Sequence, residues 1–146
     1  MPSYKIALSA DHGGFSLKSR IAAFLKELGH TVEDLGTHSP DRVDYPDFGY
    51  KLSSFIAEGK ADLGIGICGS GIGISIALNR NAKIRAALCH DATSARLARA
   101  HNDANVLVLG ERLIGLETAL ECVRVFLTTE FEGGRHEGRV KKLGEC

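Results

Sequence analysis

A thiol followed by alternating glycines, Cys68-Gly69-Ser70-Gly71-Ile72-Gly73, is the stretch of this sequence best equipped for chemistry. It follows the apolar run Leu63-Gly64-Ile65-Gly66-Ile67 and opens a segment of helical character. Three glycines at alternate positions leave the backbone amides of residues 69–73 unobstructed, at a helix start that favours negative charge. Such a loop can cradle a phosphate, or an oxyanion that forms during reaction. A thiol at that place is expected to have a lowered pKa and to serve as nucleophile or base. A lone cysteine is more often a buried structural residue. Its position at a strand end against a glycine-rich helix start favours the functional reading here.

The ends of the other apolar runs carry further candidates. Asp11-His12-Gly13-Gly14 follows Ile6-Ala7-Leu8, Cys89-His90-Asp91 follows Ile84–Leu88, and Gly110-Glu111-Arg112 follows Val106–Leu109. Asp11 reads equally as a helix cap and as a partner of His12 in acid–base work. Asp91 reads as a cap before Ala92-Thr93-Ser94-Ala95. His30 and His38, near loops, are expected to be solvated. Arg135 and Arg139 lie four apart on one face of a short helix. With Arg112 they could hold a phosphate through bidentate hydrogen bonds. His101-Asn102 precedes the fifth apolar run instead of following it. In a parallel sheet that is the end opposite Cys68, so a catalytic role for this pair requires delivery by a neighbouring subunit.

Five short apolar runs alternate with helical patterns, which predicts an α/β fold: a three-layer, Rossmann-like sandwich around a five-stranded parallel sheet. Most runs are continuously apolar, as strands covered on both faces should be. Thr31-Val32-Glu33-Asp34-Leu35 is mixed and belongs nearer an edge. Leu17, Ile21, Phe24, Leu25 and Leu28 repeat at helical spacing before Gly29. Residues 46–58, 71–80, 91–100 and 115–129 read as helices too, with Pro46 in a first turn. Ligands of such sheets bind outside the carboxyl ends of the strands at a topological switch point. A switch between strands one and three would unite Asp11, His12 and Cys68. The string Gly64-Ile65-Gly66-Ile67-Cys68-Gly69 also fits GxGxxG, but its first two glycines fall inside a strand, so it is discounted as a dinucleotide fingerprint.

The 146 residues suit one domain, 1–146, with a tail over 130–146 that serves the site or a dimer. Lys plus Arg equals Asp plus Glu at 18 each, so no overall field attracts nucleic acid or a membrane, and any anion site must be local. None of Cys68, Cys89, Cys122 and Cys146 forms a CxxC pair, which speaks against a zinc knuckle or redox pair. Free thiols and the absence of an export signal predict a cytoplasmic protein.

Five motifs in order resemble type B ribose-5-phosphate isomerase, a family that also holds galactose-6-phosphate and allose-6-phosphate isomerases. They are Asp11-His12-Gly13-Gly14, Cys68–Gly73, Ala100-His101-Asn102, Asn105–Arg112 and Phe131-Glu132-Gly133-Gly134-Arg135-His136-x-x-Arg139, and they span nearly the whole chain. The resemblance implies strand order 2-1-3-5-4 and a homodimer, possibly paired into tetramers, with sites between subunits. It implies interconversion of D-ribose 5-phosphate and D-ribulose 5-phosphate without metal or organic cofactor. Cys68 would take the C2 proton, and His101 would open the furanose ring with Asp11 nearby. Ser70 and the amides of Gly69, Ser70, Gly71, Ile72 and Gly73 would hold the enediolate oxygens. His12, Arg112, Arg135 and Arg139 would bind phosphate, and Asn102 the sugar. Ser70 stands where many relatives have Thr, and Ile74 stands where relatives lacking the cysteine carry a Glu base. That places the chain in the cysteine-dependent branch. A non-enzymatic nucleotide-binding module is the rival from another class.

Overall fold

Strands and helices alternate along the chain as the apolar runs predict, in a computed structural model that describes residues 2–146. The strands are β1 (Lys5–Ala10), β2 (Thr31–Asp34), β3 (Leu63–Cys68), β4 (Ala86–Leu88) and β5 (Val106–Gly110). The helices are α1 (Phe15–Glu27), α2 (Tyr45–Ala57), α3 (Ile72–Leu78), α4 (Ala92–Asn102), α5 (Leu116–Thr128) and α6 (Arg135–Leu143). A 3-10 turn, His12–Gly14, joins β1 to α1. All pairings are parallel and the sheet order is β2-β1-β3-β5-β4. Both β2 and β4 are edge strands. The expected 84–88 strand shrinks to three residues, and Ile84 instead donates its N–H to Asn81 in the preceding turn.

Two cores explain the three layers. Leu63, Ile65 and Ile67 of β3 pack with Leu17, Ile21 and Leu25 of α1 and with Val123 and Phe126 of α5. Residues of opposite parity face the other way, because strand side chains alternate. There Cys68 shares a core with Leu52 and Ile56 of α2 and with Ile74 and Leu78 of α3. Gly64 and Gly66 point to that same side. A β-carbon at Gly64 would stand 3.1 Å from Leu52 Cδ1, and one at Gly66 would stand 3.1 Å from Leu78 Cδ1. These two glycines let helices close onto the sheet. Their work is packing, consistent with the discounted dinucleotide pattern.

The local signals operate as expected at several ends. Gly29 takes φ +90 after α1, Pro46 lies in the first turn of α2, and Asp91 accepts a 2.7 Å hydrogen bond from Ser94 N–H. His30 departs from expectation. It is buried, stacks on Tyr4 with ring centroids 5.8 Å apart, and accepts the Tyr4 N–H through Nδ1 at 3.1 Å. The chain turning from α1 into β2 carries it beneath the amino-terminal segment, where an imidazole can both fill space and satisfy a backbone donor. His38 is exposed.

One buried charge ties α1 to the sheet edge. Lys18 is fully enclosed and its Nζ lies 2.6 Å from Asp34 Oδ2, while Asp34 Oδ1 accepts the Gly36 N–H at 2.9 Å. Removing one member of such a pair leaves the other with a lost charge-assisted bond and a cavity beside it. Lys18→Ala is therefore expected to lower unfolding free energy by about 2–3 kcal/mol, read as a lower urea midpoint at unchanged slope.

Candidate active site

Because β1 and β3 are neighbours and their connections leave in opposite directions, their carboxyl ends form the switch point of this sheet. Two loops meet there at backbone distance. A β-carbon on Gly13 would lie 3.1 Å from Gly69 N, and one on Gly14 would lie 2.7 Å from the Ile67 carbonyl oxygen. Only glycine permits this approach. Asp11 is buried and caps the 3-10 turn, accepting the Gly13 N–H at 2.9 Å. The cap and site readings of Asp11 thus coexist in one side chain, since it also lines a cavity of about 270 Å³.

That cavity is lined by Asp11, Tyr45, Cys68, Gly69, Ser70, Gly73, Arg112 and Leu113. Cys68 is the last residue of β3 and is 4% exposed, so its thiol meets the cavity and little else of the surface. After it the chain turns sharply. Gly71 adopts φ +78, and a β-carbon there would meet Leu88 Cδ1 at 2.5 Å and the Leu109 carbonyl at 3.0 Å. Ser70 Oγ accepts the Ile72 N–H at 3.2 Å, at the first turn of α3. The β5 end closes the loop from above: Glu111 N–H donates to Cys68 O at 3.1 Å and Arg112 N–H to Gly69 O at 2.9 Å. Arg112 carries its guanidinium over Gly69, close enough that a β-carbon there would lie 3.3 Å from Nε. Glu111 itself turns to α1, where a carboxylate oxygen accepts the Leu17 N–H at 2.5 Å. A thiol, a carboxyl, a hydroxyl and a guanidinium therefore converge on the glycine loop.

Larger clefts exist but do not concentrate chemistry in this way. One of about 570 Å³ lies along α5 beside Asp91 and Arg124, and no glycine loop or strand end lines it. Cys89 and Cys122 are buried structural thiols. Burial raises Cys89 above the usual thiol value and pushes Cys122 up to about 11, while Cys146 is exposed.

The other predicted residues are divided between two places. His12 adjoins the cavity, but its Nδ1 accepts the Val43 N–H at 3.2 Å and it does not line the space. His101 and Asn102 end α4, before β5, and Arg135 and Arg139 lie on α6, which packs on α4. Within one chain these four stand at the opposite end of the sheet from Cys68. They surround features that sequence reading left without a role. His136 is 6% exposed and stacks on His101 with centroids 4.4 Å apart and planes inclined by 15°. Burial holds His136 below the ordinary imidazole value, and the charges of Arg135 and His101 add to this. Tyr45 was also missed: it sits at the start of α2 and lays its ring against Gly73, where a β-carbon would meet it at 2.5 Å. A glycine demanded at residue 73 is the one hint the sequence held.

The Ribose/Galactose Isomerase family profile matches residues 6–143. A solved structure of Clostridium thermocellum ribose-5-phosphate isomerase B is 54% identical, with a TM-score of 0.95 over 97% of this chain and 95% of that one. Escherichia coli ribose-5-phosphate isomerase B is 49% identical over 95% of this chain and 93% of its own length. D-erythrulose-4-phosphate isomerase of Pectobacterium atrosepticum is 43% identical over 95% of this chain and 92% of its own length.

Proposed function

The chain belongs to the ribose/galactose isomerase family of sugar-phosphate isomerases, and we propose that it interconverts D-ribose 5-phosphate and D-ribulose 5-phosphate through a cis-enediolate. The observation that carries this reading is the single cavity in which Cys68 meets a glycine-lined amide cradle. Cys68 as thiolate takes the C2 proton of the open-chain aldose. The electron pair moves into a C1–C2 double bond and negative charge collects on O1. Ser70 and the amides of Gly69, Ser70, Gly71, Ile72 and Gly73 hold that charge, the Ile72 N–H turning to it from Ser70 Oγ, a contribution of roughly 10²–10³-fold for each well-placed donor. The O2 proton passes to O1 and the thiol returns its proton to C1, which yields the ketose. No hydride or electron leaves the substrate, so the chemistry itself calls for no nicotinamide.

Ring opening requires an acid that the Cys68 cavity of one chain does not include. His101 supplies it from a second copy, with Asp11 beside the sugar and Asn102 on its hydroxyls. Arg112 and His12 from one chain and Arg135 and Arg139 from the other hold the phosphate, remote from the reacting carbons, so that its binding energy positions the chain of carbons. An apolar face supports a seat for the second copy beside the cavity. Ile72 and Ile76, four apart on α3, are 53% and 54% exposed, and Leu113 at the cavity rim is 55% exposed.

The test is isomerisation by metal-stripped protein of ribose 5-phosphate and, separately, allose 6-phosphate. Ribose 5-phosphate is expected to turn over with the higher kcat/KM. A preference for allose 6-phosphate would reassign the substrate within the family. Inactivity on both, with tight nucleotide binding, would favour the binding-module reading instead.

A further inference from the structure

Helix α1 begins without a cap of its own. Gly14, which precedes it, has no side chain to offer, and its first turn holds no acidic residue. The first N–H groups of a helix need partners and favour negative charge. Both needs are met from 94 positions away: Glu111, in the turn after β5, accepts the Leu17 N–H with a carboxylate oxygen. Among the described residues the carboxylate makes no ion pair. Arg112, its neighbour in the chain, does not pair with it, nor does Arg20, which lines the same small cleft of about 220 Å³.

We propose that Glu111 is a positioning residue, which sets the placement of Arg112 relative to Asp11 and His12 across the Cys68 loop. Strands β1 and β5 flank β3, so their loops stand on either side of Cys68. The β1 loop is joined to β3 by the Asp11 N–H, which donates to the Ile67 carbonyl at 3.3 Å. The β5 turn is joined to the Cys68 loop by the Glu111 and Arg112 N–H groups, and a β-carbon on Gly110 would collide with the Ser70 carbonyl. Each of these contacts reaches only the adjacent loop. The Glu111 side chain alone carries the β5 turn past β3 to α1, which follows directly on Asp11-His12-Gly13-Gly14. One hydrogen bond thus closes the three strand-end loops into a ring.

A cap without this placement would affect stability and nothing at Arg112. The Arg112 guanidinium lies over Gly69, with Cζ 3.4 Å from where a β-carbon would stand. It forms no ion pair with any described residue, so the backbone position of residue 112 governs where it stands. Engaging the Glu111 carboxylate on α1 also keeps it from neutralising Arg112. An incoming anion therefore meets a guanidinium that is free and set at a fixed height. That this anion is the substrate phosphate rests on the isomerase reading; the coupling of Glu111 to Arg112 does not.

The experiment measures the affinity of the full chain for inorganic phosphate by calorimetry, and turnover of ribose 5-phosphate beside it. Arg112→Ala should weaken phosphate by about tenfold, the loss of one charge-assisted contact. Glu111→Ala should weaken it by about fivefold and raise KM more than it lowers kcat. Glu111→Asp keeps the charge but is one methylene short of Leu17, and should behave like the alanine variant. Glu111→Gln loses the charge but keeps an oxygen for the Leu17 N–H, and should stay within about twofold of the parent. Added to Arg112→Ala, Glu111→Ala should cost less than about twofold more, since a residue that acts through Arg112 has nothing left to place. Parental phosphate affinity in Glu111→Ala and Glu111→Asp would overturn the proposal, as would a full further loss in the Arg112→Ala background. Should Glu111→Ala fold poorly, the contrast between Glu111→Asp and Glu111→Gln decides, and equal behaviour of those two sinks the idea. Parental affinity in Arg112→Ala would remove the phosphate role of Arg112 and the positioning role with it. The expected phosphate pattern without turnover of any sugar phosphate would count against the isomerase reading and support the coupling.

Discussion

Cys68→Ala is expected to lower kcat for ribose 5-phosphate isomerisation by about 10³-fold or more, at the upper end of what a positioned base contributes. The thiol is the only side chain of the cavity suited to the C2 proton once Asp11 is committed to the Gly13 amide. Ile74 is fully buried in the core behind the loop and has no ionisable group, so no second base waits there. Binding should survive. The arginines and the amide cradle are untouched, and alanine in place of a 4%-exposed thiol leaves the loop free of new contacts. The dissociation constant for substrate, read by calorimetry, should stay within about threefold, because an interaction made only in the transition state lowers kcat without raising KM. Cys146→Ser and Cys89→Ala serve as controls: one thiol is exposed at the end of the chain, the other is buried and raised in pKa, and neither lines the cavity. Near-normal turnover in Cys68→Ala would remove the proposed base. Equal losses of binding and turnover would recast the thiol as part of the cradle's structure.

The fold was legible because its signals are local. Continuous apolar runs mark β1, β3 and β5, Gly29 stops α1, and Asp91 starts α4. The Cys68 loop was legible for the same reason, since thiol, glycines and strand end lie within ten residues. What escaped depends on tertiary placement. Tyr45 reaches the cavity only because α2 packs across α3, and no pattern around residue 45 announces it. His30 read as solvated, since burial of a loop histidine follows from the segment folded over it and not from its neighbours in sequence. His136 belonged to a recognised motif, yet its stacking on His101 appears only when α6 folds back on α4. The position of His101, by contrast, followed from topology alone: a residue before a parallel strand cannot share an end with residues that follow one. The observed order β2-β1-β3-β5-β4 preserves that inference, because every strand is parallel.

That separation has a consequence that can be measured by mixing two inactive proteins. Cys68→Ala and His101→Ala chains, each nearly dead alone, should regain activity when refolded or exchanged together. If one site draws Cys68 from one chain and His101 from its partner, a heterodimer holds one site with both residues intact and one with neither. Random pairing makes half the dimers mixed, so the pooled activity should approach about a quarter of the unmodified level. If both residues served the same site from one chain, every site in the mixture would lack one of them, and activity would stay near the parental floor. Subunit exchange is confirmed independently by tagging one variant and recovering the other with it. Recovery of mixed dimers without activity would rule out the shared site, since all the needed groups would be present in one assembly. The geometry makes the positive result the expected one. Within one chain His101 stacks on His136 at the amino end of the sheet, whereas Cys68 and its amide cradle open at the carboxyl end. Side-chain motion cannot span a sheet layer, so a single chain holds the proposed base and the proposed ring-opening acid at opposite ends of its sheet, and a second copy of the chain is the simplest source of the missing half.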